Sequence, residues 1–85
     1  RISNVNITIV TYPKNYLKQE MVIHSGEEFM FILEGVLDVN LGGLKIYHME
    51  AGDSISFPSR IPHCVVSEPG AKVLIHSSTT PLMII

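Results

Sequence analysis

The sequence has no tryptophan and only one cysteine, Cys64, among its 85 residues. A single cysteine cannot form a disulfide within the chain, and it fits a reducing compartment. No apolar run approaches the roughly 20 residues of a membrane-spanning helix, and no signal peptide is visible. We therefore expect a cytoplasmic protein without a membrane partner.

Positive charge is scarce and dispersed. The six Lys and Arg residues form no run, the formal net charge is −2, and charged residues make up only 16% of the chain. Phosphate contacts need clustered positive charge, so this chain alone is not predicted to bind nucleic acid. Because charged residues are few and 46% of the residues are hydrophobic, we expect part of the surface to be covered by a partner or a second copy.

Segments with helical periodicity are also missing. Apolar residues recur at every second position and turn residues interrupt them, which predicts an all-β, antiparallel fold of about eight short strands. Gly42-Gly43 predicts a tight hairpin, and Glu34-Gly35 is expected to end a strand. The predicted strands are Val5–Thr11, Leu17–His24, Glu28–Glu34, Val36–Leu41, Leu44–Met49, Ser54–Phe57, His63–Ser67 and Ala71–Ser77.

The length of the chain and the residues at its two ends predict how it is organised. A chain of 85 residues fits one domain, 1–85, and a domain this small buries only about 60–65% of its unfolded surface. The chain begins at Arg1 without a methionine, so we expect it to be a fragment of a longer protein. The tail Leu82–Ile85 is so apolar that we expect it to pack on the domain or on a second copy.

Two stretches carry the chemistry. His24 and Glu28 flank a turn at Ser25-Gly26, and His63 follows a second stretch that starts at Gly52. If the chain folds back so that His63 reaches the other two, the three side chains form a facial site of two histidines and one carboxylate. Non-haem Fe(II) oxygenases use this ligand set, which also suits Zn, Mn, Ni or Co. The alternative is a buried hydrogen-bonded network without a metal, and the sequence leaves both open.

Together the two stretches resemble the motifs of the cupin superfamily. The first cupin motif reads Gly-x5-His-x-His-x3-4-Glu-x6-Gly, and the second reads Gly-x5-Pro-x-Gly-x2-His-x3-Asn. The positions that match them are His24, Glu28 and Gly35 in the first, and Gly52, Pro58 and His63 in the second. This resemblance implies a cupin jelly-roll (double-stranded β-helix) barrel with His24, Glu28 and His63 as metal ligands.

The sequence also departs from these motifs. Val22 replaces the first histidine, Tyr16 the opening glycine, Arg60 the second glycine and Ser67 the closing asparagine. The ligand set is therefore reduced from four to three. The absent first histidine is similar to a hydroxypropylphosphonate epoxidase of this superfamily, which holds iron with two His and one Glu.

More narrowly, the chain resembles the C-terminal cupin domains of XRE-type bacterial regulators. The segments that carry this likeness are His-Ser-Gly-Glu-Glu-Phe, Leu-Glu-Gly, Gly-Asp-Ser and Ile-Pro-His. The resemblance implies a domain that senses a small molecule and reaches DNA only through an N-terminal helix-turn-helix domain. The alternatives are a small metal-dependent cupin enzyme, an oxygenase or isomerase, and a stand-alone binding protein with neither activity. We expect a binding domain rather than an enzyme and predict no catalytic residue.

Ligand contacts and self-association complete the predictions. Arg60, Met30 and Tyr47 are predicted to contact the ligand. If Glu28 points into the fold, strand parity turns Phe29, Phe31 and Leu33 outward. Burying each such side chain contributes roughly 1.5–3 kcal/mol, which predicts a homodimer through this sheet.

Overall fold

A computed structural model describes residues 5–78, which form six β-strands. These strands are β1 (Val5–Tyr12), β2 (Glu27–Leu41), β3 (Lys45–Glu50), β4 (Ser54–Pro58), β5 (His63–Val66) and β6 (Ala71–Ser78). Every pairing between them is antiparallel, which confirms the predicted all-β class. The part of the chain described here holds no helix that is long and apolar enough to cross a membrane. The tail Leu82–Ile85 lies outside the described residues.

The long strand β2 organises the fold. Its first half pairs with β6 and β4, and its second half pairs with β3 and β5. The register against β6 shifts between Ile32 and Glu34, and Gly35 has a φ of +80°. The predicted strand end at Glu34-Gly35 was wrong, because the chain bends at this irregularity and continues as one strand. The bend lets β2 contribute to both halves of the domain.

The strand order is β1-β6-β2-β3, with β4 and β5 also paired to β2. The pairings among residues 5–78 do not close into a ring, so the barrel form of the predicted jelly roll stays a prediction. The predicted hairpin at Gly42-Gly43 is confirmed, since it joins β2 to β3 with a positive φ at both glycines.

Residues 16–24 differ from their predicted structure. The predicted strand Leu17–His24 was wrong as a regular strand. This segment is extended but pairs with the β5 region at only two isolated bridges. Tyr16 pairs with Ser67, the residue after β5, and Val22 pairs with His63. The alternation of side chains that a strand would have is nevertheless present, because Tyr16, Lys18, Glu20, Val22 and His24 all line one cavity. We call residues 16–24 the bridging segment.

Strand parity places the core as the sequence predicts. Along β2, Glu28, Met30 and Ile32 are buried, whereas Phe29, Phe31 and Leu33 are only partly buried on the opposite face. The buried hydrophobic core consists of Met30, Ile32, Leu37, Val39, Met49, Phe57, Ala71 and Val73. Glu28 is therefore the charged member of an otherwise apolar row.

The other face of the same sheet is apolar and accessible. Cross-strand pairing puts Ile7, His76 and Phe29 in one row, and Ile9, Leu74 and Phe31 in the next. Ile7 is 67% exposed and Ile9 is 58% exposed. We call these six residues the outer face. Its charged side chains lie at opposite ends, Glu27 at one and the Glu34–Lys72 ion pair (3.7 Å) at the other.

Candidate metal centre

Two short backbone links position His24. Its amide donates a hydrogen bond to the carbonyl of Ser59 (3.1 Å), and the amide of Ser59 donates to the carbonyl of Gly26 (2.9 Å). Gly26 has a φ of +96°, a left-handed conformation that glycine adopts without steric cost. The tight turn therefore ties the end of the bridging segment to the loop that precedes β5.

Glu28 and His63 are placed by the sheet itself. Glu28 lies near the start of β2 between Ser77 of β6 and Phe57 of β4, and only 8% of its surface is exposed. His63 opens β5, is buried, and exchanges two backbone hydrogen bonds with Val22 (2.8 and 3.0 Å). Its ring contacts Phe57 edge-on at 5.0 Å between centroids.

These elements bring the three predicted ligands together. One ligand atom from each of His24, Glu28 and His63 lies within 4.8 Å of the other two. The Nε2 atoms of both histidines are 3.3 Å from Oε1 of Glu28. Their role in metal binding stays a prediction, but the geometry is compatible with one divalent cation between them.

Backbone carbonyl oxygens orient both imidazoles. Nδ1 of His63 lies 2.7 Å from the carbonyl oxygen of Ile61, and Nδ1 of His24 lies 3.3 Å from that of Ser25. A carbonyl only accepts hydrogen bonds, so the ring proton of each neutral histidine belongs on Nδ1. Each Nε2 then presents a lone pair, the form in which imidazole binds metals.

The unsatisfied carboxylate tests whether a cation fits. Oε1 of Glu28 is buried and has no hydrogen-bond partner among the described residues. The two Nε2 atoms are within ion-pair distance of it, but their geometry does not make a hydrogen bond. Three lone-pair atoms thus converge on one small region. An unpaired buried carboxylate costs several kcal/mol, and a divalent cation would satisfy all three atoms at once.

The triad opens into a cavity of about 240 Å³. The residues lining it are Tyr12, Tyr16, Lys18, Glu20, Val22, His24, Glu28, Met30, His63, Cys64 and Val65. Tyr12 and Tyr16 have ring centroids 4.9 Å apart. Burial, with smaller contributions from Tyr16 and Glu28, raises the pKa of Tyr12 to about 12. The Tyr12 hydroxyl is therefore a protonated hydrogen-bond donor across the physiological pH range.

The predicted ligand contacts separate into two groups. Met30 lines the cavity, whereas Arg60 and Tyr47 are not among its lining residues. Arg60 is exposed in the loop before β5, and the Tyr47 ring on β3 lies beneath the Lys45 ammonium at 5.2 Å. Their ligand roles stay predictions without a contact to the triad.

Sequence reasoning did not assign four polar residues of the cavity to the site, and these are Tyr12, Tyr16, Lys18 and Glu20. The signal for Lys18 and Tyr16 was available, because alternate residues of an extended chain share a face with His24. Tyr12 falls one residue beyond the predicted strand Val5–Thr11, although it is the last residue of β1.

Comparison with known proteins agrees with this fold. A family model described as "Cupin domain" matches residues 8–77, so the chain belongs to the cupin family. Comparison of the sequence with curated proteins gave no match. The likeness to solved structures reported next is below 25% identity and supports the fold alone.

Three solved structures illustrate this likeness. Protein SPY1581 of unknown function from Streptococcus pyogenes is 19% identical with a TM-score of 0.82, over 98% of this chain and 70% of that one. An RmlC-like cupin from Shewanella frigidimarina is 22% identical with a TM-score of 0.80, over 93% and 69%. The Fe(II) form of HppE in complex with substrate is 23% identical with a TM-score of 0.76, over 87% and 45%.

Proposed function

We propose that this cupin domain binds a divalent metal ion and, beside it, a small molecule. The observation that carries the proposal is the buried, unsatisfied Oε1 of Glu28 facing two Nε2 atoms at 3.3 Å. The metal would be held by His24, Glu28 and His63, and Fe, Zn, Mn and Ni all suit this ligand set. When bound, the ion supplies Lewis-acid attraction for an oxygen donor.

Titration of metal-stripped protein tests this proposal. We expect at least one of Zn, Mn, Ni and Fe(II) to bind with a stoichiometry of one ion per chain. Calorimetry measures this binding, and the iron titration is carried out anaerobically. A ligand present at about 100 times its Kd stabilises the folded state by about 2.7 kcal/mol, so the melting temperature should rise with the metal. Protein that stays folded but binds none of the four ions contradicts the proposal.

The finer proposal is that this domain is the effector-binding part of a bacterial transcriptional regulator. It is supported by the resemblance of the motifs around His24 and His63 to XRE-type regulators, in which a helix-turn-helix domain makes the DNA contacts. Allosteric couplings typically change affinity by about 5–150-fold. In the full-length protein, loading the metal should therefore change DNA affinity by at least about fivefold in an anisotropy assay. Identical DNA affinity of the loaded and stripped forms contradicts the regulator role.

A metal-dependent enzyme is the second candidate, supported by the fold shared with Fe(II) HppE and by the three-residue ligand set. Three protein ligands leave coordination positions open for substrate and oxygen. Within the cavity, the protonated Tyr12 hydroxyl is the group that would donate a proton or hydrogen bond to a reacting oxygen. Oxygen uptake by the Fe(II)-loaded protein with a bound organic ligand favours the enzyme; binding without uptake favours the sensor.

We also propose a homodimer through the outer face. A copy of the same face is a suitable partner because the face is apolar at its centre and charged only at its ends. With the two sheets packed antiparallel, the Glu27 end of one subunit lies over the Lys72 end of the other. Packed sheets sit about 10 Å apart, close enough to cover Ile7, Ile9 and Phe31.

Replacing Ile9 with glutamate should dissociate this dimer. The Ile9 side chain is largely exposed in one chain, so Ile9→Glu costs the monomer little, whereas the dimer would bury two unpaired carboxylates. We expect the dimer dissociation constant to rise at least about a hundredfold, measured by light scattering after size exclusion. Ile46→Glu is the matched control, because Ile46 is 63% exposed on β3 and outside this face. A wild-type protein that is monomeric at micromolar concentration contradicts the proposal.

A further inference from the structure

The bridging segment makes one wall of the metal cavity from side chains of mixed character. It is held by the two bridges at Tyr16 and Val22, and its alternate residues bring Lys18 and Glu20 to the same cavity as the triad. Tyr12 reaches the cavity from β1. Polar groups from β1, the bridging segment and the triad therefore converge on one space.

The charges lining this space do not balance once a divalent ion is present. Lys18 and Glu20 form an ion pair at 3.3 Å and neutralise each other. Glu28 is the remaining carboxylate among the lining residues, and the histidines are neutral when they bind metal. A +2 ion with one carboxylate leaves a net charge of +1, and the charge of the ion must be counted in any such site. A singly charged anion restores neutrality.

Two hydroxyl donors are available for that anion. Tyr12 and Tyr16 both line the cavity with their rings 4.9 Å apart. Neither hydroxyl makes a hydrogen bond to another residue in the described range 5–78. A carboxylate has two oxygens and about four acceptor sites, so it can face a cation and accept from a hydroxyl at once. Hydrogen bonds to a charged acceptor are roughly twice as strong as neutral ones.

The size and remaining lining of the cavity limit the rest of the ligand. A volume of about 240 Å³ corresponds to about eight water molecules at roughly 30 Å³ each. Val22, Met30 and Val65 supply apolar surface beside the polar groups. The space suits a short aliphatic chain that carries one charged group.

We propose that this cavity binds a small aliphatic monocarboxylate, with its carboxylate between the triad and the hydroxyls of Tyr12 and Tyr16, and its chain against Val22, Met30 and Val65. This inference rests on the proposed metal binding. It assigns Tyr12 and Tyr16 as ligand-binding residues.

Titrating Co(II)-loaded protein with sodium butyrate tests the inference without any activity assay. Bound Co(II) has a visible absorption band, and this band changes when another ligand coordinates the ion. We expect butyrate to change the band saturably and butyramide, its uncharged analogue, to have no effect. Tyr12→Phe and Tyr16→Phe should each weaken butyrate binding about tenfold, while Tyr47→Phe, outside the cavity, should leave it unchanged. Circular dichroism verifies that each variant is folded. If one of the two tyrosine variants does not fold, the other still tests the inference.

The outcomes separate this inference from the proposed function. Folded protein that binds neither Co(II) nor any of Zn, Mn, Ni and Fe(II) overturns both. Stoichiometric Co(II) with a band that ignores butyrate, or that responds equally to butyramide, overturns the monocarboxylate alone. Equal butyrate affinity in the wild type and in whichever of the two cavity variants folds removes the tyrosines from the site.

Discussion

Replacing Glu28 with glutamine should abolish metal binding and leave the metal-free protein at least as stable as the wild type. Oε1 of Glu28 is buried without a hydrogen-bond partner in the described chain, so its negative charge is a cost until a cation arrives. Glutamine keeps the shape and removes that charge. We expect the metal-free free energy of unfolding to stay equal or rise by about 1 kcal/mol. The metal-induced rise in melting temperature should disappear.

The same variant decides between the two interpretations of the triad. If His24 and His63 instead carried protons and bonded Glu28 directly, removing the charge would leave a cation buried. Breaking a buried ion pair in this way costs about 3–5 kcal/mol, and the metal would have no effect on either protein. The control is Glu68→Gln, which is exposed after β5 and lies outside both the cavity and the outer face, and which should behave like the wild type. Urea denaturation with and without metal measures the free energy of unfolding of the wild type and of each variant.

Replacing Gly35 with alanine should prevent stable folding. A Cβ atom at this position would lie 2.0 Å from the carbonyl oxygen of Gly70 and 2.9 Å from Cα of Ala71. Both neighbours are backbone atoms where β6 begins and is hydrogen-bonded to β2, so neither can move aside cheaply. The φ of +80° adds strain for any residue with a Cβ. We expect a loss above about 4 kcal/mol, most of the stability of a domain this small.

Gly52→Ala is the control that separates contact from conformation. Gly52 has a similar φ of +94°, but a Cβ there meets nothing within 4 Å. Only the conformational cost of about 1–2 kcal/mol remains. Equal losses in the two variants would show that the left-handed backbone, and not the close approach to Gly70, determines the need for glycine at position 35.

Local patterns predicted much of this fold. Alternation along β2 correctly separated Glu28, Met30 and Ile32 from Phe29 and Phe31, because side chains of a strand alternate between faces whatever the tertiary structure. The bend at Gly35 could not be predicted in this way. Whether a glycine ends a strand or carries it through an irregularity depends on which segment approaches it, here the backbone of Gly70 and Ala71 where β6 begins.

The candidate site was predictable in part. Motif spacing identified His24, Glu28 and His63 as one group, and the structure brings them together. The second wall was harder to predict, because the bridging segment has a strand-like pattern but is paired at only two points. Arg60 was chosen for its charge and its proximity to His63 in sequence, but neighbouring positions in a loop do not specify which side chain enters the cavity.

The pairing of β1 with β6 has a consequence for how the domain forms. Val5 lies opposite Ser78, so the first described strand acquires its partner only when the last one is made. At a synthesis rate of about 5–20 residues per second, several seconds pass between the synthesis of β1 and that of β6. During this time Ile7 and Ile9 lie on a strand without its partner. Exposed apolar strands of this kind are prone to pair with other chains. The nascent chain is thus most vulnerable to aggregation immediately before β6 emerges from the ribosome.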